Sequence, residues 1–96
     1  MTDTQHEYIK RAKAGLDSLD AKLGMLEAKA SEKKGDARQE IDNTLTKLRD
    51  SRKQAGRRLE ELRQANQPAW EDMKQGVERA WTSLSTAVND AAQRYQ

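Results

Sequence analysis

Apolar residues return at steps of three and four along most of the chain, the spacing that puts them on one stripe of an α-helix. Ile9, Leu16, Leu23, Ala30 and Ala37 recur every seven residues, with Ala12, Leu19 and Leu26 interleaved. The rhythm resumes as Leu48, Ala55 and Leu62 with Leu45 and Leu59 between them, after an eleven-residue interval from Ala37 that contains Ile41. An interval of that length is a stutter, which unwinds a supercoil locally without ending a helix.

Asn66, Gln67 and Pro68 interrupt the pattern. Proline suits the first turn of a helix and damages an interior, and Glu71 and Asp72 complement a new N-terminus, so a second helix should begin near Pro68. Its period differs: Trp70 and Trp81, Met73 and Leu84, and Val77 and Val88 are each eleven apart, which gives a nearly straight apolar stripe. At the other end, Thr4 and Glu7 have capping-box spacing and predict a helix start near Thr4.

The pattern is ambiguous at Gly35. Lys33 and Lys34 before this glycine resemble a helix C-terminus, and Asp36 with Gln39 resembles a new cap. Ala30 and Ala37 nonetheless keep register across it, and a single interior glycine costs only about 1 kcal/mol relative to alanine. The favoured reading is all-α: a long helix over about 4–65 and a return helix over about 68–95, a coiled-coil hairpin in one domain, 1–96. The alternative is a three-helix bundle broken at Gly35.

Helix length then bears on association. At ~1.5 Å per residue the first helix would be ~93 Å long and the second ~42 Å, so half the first seam would lie bare. That half carries Leu16, Leu19, Leu23 and Leu26, whose burial is worth roughly 1.5–3 kcal/mol each. The hairpin reading therefore predicts a homo-oligomer through these four leucines, with Trp70, Val77, Trp81, Leu84 and Val88 closing the hairpin. The three-helix alternative predicts a monomer.

Composition supports a thin helical seam. Only 13 of 96 residues are Leu, Ile or Val and none is Phe, whereas Ala, Glu, Lys, Leu and Arg fill 48 positions, a coiled-coil composition. The 18 basic and 16 acidic residues nearly cancel, unlike a chain kept disordered by net charge. The N-terminal residues lack the basic and apolar regions of a signal peptide, and no window approaches the ~18 consecutive apolar residues of a membrane span. A cytoplasmic protein is expected.

Candidate chemistry is sparse. No cysteine is present, His6 is the single histidine, and no glycine-rich phosphate loop or nucleophile motif occurs. No catalytic residue, cofactor or metal is expected. The stretch 47–58 holds six basic residues against one acid, but at 100° per residue they point all round a helix, so a nucleic-acid site is not expected. Arg52 falls on the seam itself, where a charge can fix register. The tryptophans and Tyr95 on the second stripe would suit either helix packing or a membrane surface; four acids against three bases in that helix argue for packing.

The charged leucine heptads, the segment 69–81 (AWEDMKQGVERAW) and the Ala-rich end together resemble a family of small bacterial coiled-coil proteins, often described as apolipoprotein-like and associated with stress responses. The resemblance covers the whole chain and is most specific over 70–81. It implies a stress-related setting and no catalytic activity. The functional expectation is a self-associating structural or stress-related scaffold acting by protein–protein contact; the alternative is a protein that lies reversibly on a lipid surface.

Overall fold

The computed structural model describes residues 2–96, which form three α-helices of nearly equal length: α1 (Asp3–Ser31), α2 (Gly35–Arg63) and α3 (Gln67–Arg94). They pack as an up-down-up bundle measuring 51 × 17 × 17 Å between Cα atoms. The fold is the three-helix alternative. The continuous helix over about 4–65 is corrected to two helices folded against each other.

The break is made at residues 32–34 and Gly35. Glu32 and Lys33 donate their amides to the carbonyls of Lys29 and Ala30 at 3.1 Å, tightening the last turn of α1, and Lys29 complements the helix dipole there. Gly35 then takes φ +61°, a left-handed conformation that costs a side-chain-bearing residue about 1–2 kcal/mol. Together these four residues reverse the chain. The regular spacing of Ala30 and Ala37 misled because Ala37 is exposed: the core passes from Ala30 to Ile41 across the turn, and the interval from Ala37 to Leu48 is no stutter but uninterrupted α2, whose seam begins at Ile41.

Helix starts follow local chemistry. A capping box opens α1, but on Thr2 and Gln5 instead of Thr4 and Glu7: Gln5 donates its amide to Thr2 Oγ1 and Thr2 donates its own to Gln5 Oε1, both at 3.1 Å. Both threonines offer the pattern, and the earlier one adds helix. The α2 start has no side-chain cap on Lys34, and Asp36 lies within the first turn. At α3, Asn66 Oδ1 accepts the Ala69 amide at 3.1 Å and Pro68 occupies the first turn, close to the expected start.

Each helix contributes one stripe to a single core. Leu16, Leu19, Leu23, Leu26 and Ala30 face Ile41, Leu45, Leu48, Ala55, Leu59 and Leu62, and Trp70, Val77, Leu84, Val88 and Ala91 close the third side. Every buried side-chain polar atom among the described residues has a hydrogen-bond partner, so the core carries no unpaired polar group.

Candidate functional site

The seam leucines lie inside one chain. Leu16, Leu19, Leu23 and Leu26 are each at most 5% exposed and belong to the core shared with α2 and α3. The bare half-seam that called for a second copy is filled by the chain's own α2, so these residues are corrected from an oligomer interface to an intramolecular core. Trp70, Val77, Leu84 and Val88 are buried in that core, and Trp81 is half-buried against it.

The charges on the helices find local partners. Arg52 donates from Nε to Asp20 Oδ1 at 2.8 Å and from Nη2 to Asp20 Oδ2 at 3.1 Å, and Arg49 donates to Glu27 Oε2 at 2.6 Å. Both pairs cross from α2 to α1. Arg58 reaches Gly76 on α3 and also shares an outer surface with Lys53, Arg57, Asp50 and Glu61. The basic stretch is thus divided between the α1 side, where Arg49 and Arg52 are paired, and an outer surface that Asp50 and Glu61 interrupt, and it offers no continuous cationic track. Among the described residues no three metal-ligating side chains converge, and no helix is long and apolar enough to cross a membrane.

The least closed side of the bundle is between the parallel helices α1 and α3. Gln5 Nε2 donates to Gln67 Oε1 at 2.9 Å at its upper end, and Lys22 Nζ donates to Asn89 Oδ1 at 2.9 Å lower down. Between these bonds the small residues Ala12 and Gly15 leave a cleft of about 290 Å³, walled by Tyr8, Leu16, Ala55, Val77 and Trp81 and rimmed by Arg11 and Glu78. Such a volume lies at the small end of ligand pockets.

Gly15 is what lets the indole lie there. A Cβ at this position would stand 2.8 Å from Trp81 Cη2 and 3.0 Å from Cζ3, closer than packed carbons approach. At the upper wall Tyr8 meets Trp70 edge-on, with ring centroids 6.1 Å apart at 75°, and Lys74 Nζ lies 5.0 Å above the Tyr8 ring. The Tyr8 hydroxyl donates to Glu78 Oε1 at 3.4 Å. Burial, followed by the charge of Glu78 and this bond, pushes the phenol up to about 12, so it stays neutral and donating.

No protein-family model, curated protein or solved structure matches the chain.

The same side of the bundle carries a second apolar feature. Met25 is 70% exposed and lines an open groove with Lys22, Leu26, Lys29, Asn89, Ala92 and Tyr95. Sequence reasoning did not single out Met25, Gly15 or Tyr8. Met25 carried a signal, being a large apolar residue off the seam between Leu23 and Leu26; Gly15 carried none, because nothing in the sequence pairs it with Trp81.

Proposed function

We propose that this chain is a non-catalytic, self-associating helical scaffold that acts by protein–protein contact, using the α1–α3 side of its bundle in place of the leucine seam. The observation that carries this reading is the 290 Å³ apolar cleft beside Trp81 on the same side as the exposed Met25. Apolar groups gathered on one side of an otherwise charged surface mark a contact site. A protomer whose core is already filled can associate through that side without unfolding. The stress-related setting rests on the family resemblance alone, which covers the whole chain and is most specific over 70–81.

A second reading is reversible binding to a lipid surface, supported by the weak closure between α1 and α3: three amphipathic helices joined by short turns could part there and exchange their core contacts for acyl chains. Tryptophan emission with and without anionic vesicles separates the two. Scaffold function predicts a concentration-dependent mass in buffer and emission unmoved by vesicles. A constant monomer mass together with a blue shift on vesicles would transfer the assignment to the lipid surface.

A further inference from the structure

We infer that the α1–α3 side is a two-fold, antiparallel docking surface for a second copy of this chain, in which Met25 of each copy enters the Tyr8–Gly15–Trp81 cleft of the other. The inference rests on the self-association reading and adds the face, the orientation and the contacts.

Three observations fix the occupant. First, the knob and the hole lie on one side of the bundle, displaced along the axis. Met25 projects ten residues below Gly15 on α1, ~15 Å at 1.5 Å per residue. A two-fold axis crossing this side near the level of Leu19 to Asp20 brings each Met25 over the other copy's cleft, so one operation makes both insertions, as an isologous interface requires. Methionine is unbranched and its thioether contacts aromatic edges favourably, and the cleft presents Tyr8 and Trp81.

Second, the charges match in this orientation and clash in the parallel one. Below the midpoint, the groove around Met25 holds Lys22 and Lys29 and no acid. Above it, Glu78 rims the cleft and Glu71 acts with it on Tyr8, two carboxylates that outnumber the Lys74 ammonium over the same ring. Antiparallel docking sets each lysine pair beside the other copy's glutamates; parallel docking would set lysine against lysine. Arg11 at the cleft rim is answered within its own chain by Glu7, 3.9 Å away. Opposed potentials of this kind select orientation more than they add affinity.

Third, the face has the size for it. A bundle 51 Å long and 17 Å wide offers a side comparable with the ~800 Å² that each partner contributes to a stable interface, and half-buried Ser85 near the midpoint is small enough for close approach.

The test is sedimentation velocity on the full chain over a concentration series, for the wild type, Met25→Lys and the pair Lys22→Glu with Lys29→Glu. Met25 is mostly solvated in the single bundle, so circular dichroism should show Met25→Lys folded as the wild type. The expected result is a wild-type dimer, weakened at least ~10-fold by Met25→Lys, weakened by the lysine reversal, and partly restored when Glu71 and Glu78 are changed to lysine in the reversed chain. A photo-crosslinker at position 25 should reach the segment holding Gly15 or Trp81 in the other copy. A wild-type dimer unaffected by Met25→Lys overturns the face proposed here and leaves self-association standing. A wild type that stays monomeric throughout overturns both.

Discussion

Arg52 and Asp20 hold one another through two parallel bonds across the α1–α2 seam, at 2.8 and 3.1 Å, and the guanidinium occupies the space that Gly56 leaves open. A Cβ at Gly56 would lie 2.6 Å from Arg52 Nη1. The charge sits in an apolar row, between Leu48 and Ala55, and remains affordable because its side chain is still 25% exposed and its partner 45%. Two-point pairing of this type fixes how one helix lies against the other more than it adds stability.

A double-mutant cycle follows from that contact. Gly56→Ala gains helix propensity of about 1 kcal/mol but must displace the guanidinium, so in the wild-type background urea unfolding should show little net gain. In an Arg52→Ala background the full ~1 kcal/mol should appear. Equal effects in both backgrounds would mean that Gly56 does not make room for Arg52.

Gly15→Ala should destabilise despite the same propensity gain, because its Cβ meets the Trp81 ring at 2.8 Å and overpacking costs about 1–3 kcal/mol. The indole should swing outward, giving red-shifted emission from Trp81 measured in a Trp70→Phe chain. Gly24, with no atom within 4 Å of its would-be Cβ, is the control: Gly24→Ala should stabilise by up to ~1 kcal/mol.

At Gly35 backbone geometry decides. Gly35→Ala should lose about 1–2 kcal/mol from its left-handed φ of +61°, and Gly35→Asn less, because asparagine tolerates that region better. Thermal denaturation of the three chains should rank them Gly, Asn, Ala.

Tyr8 gives a prediction in pH. Its phenol is pushed up to about 12 in the folded chain by burial and by Glu78, against about 10 for an unperturbed tyrosine. The folded state therefore holds its proton more tightly than the unfolded state. The resulting stability is complete below pH ~10 and is lost as pH rises towards 12. Phenolate absorbance of a Tyr95→Phe chain should titrate late, and Glu78→Gln should bring the midpoint down.

How much of this was legible in the sequence depended on whether the signal was local. Asn66, Gln67 and Pro68 carry their own start chemistry, and α3 begins where they indicate. The seam positions on α1 and α2 were also readable, because heptad spacing alone defines a face. Spacing does not define what the face meets, and Leu16, Leu19, Leu23 and Leu26 were assigned to another chain when α2 of the same chain covers them. The turn was hidden by coincidence: Ala30 and Ala37 are seven apart, yet only Ala30 is buried. Arg52 was recognisable as a seam charge, but Asp20, 32 residues away in sequence, became its partner only through the fold.

Every surface assignment depends on the reversal at Gly35, and one distance tests it. Glu27 and Arg49 are 22 residues apart and in contact across α1 and α2; in a continuous helix they would be ~33 Å apart. The chain has no cysteine, so cysteines placed at these two positions can carry spin labels without competing sites. Pulsed dipolar spectroscopy of the doubly labelled chain, diluted with excess unlabelled protein to suppress contacts between copies, should give a short distance that survives dilution. A distance near ~33 Å, or a short one that vanishes on dilution, would contradict the three-helix bundle and return the leucine seam to contacts between chains.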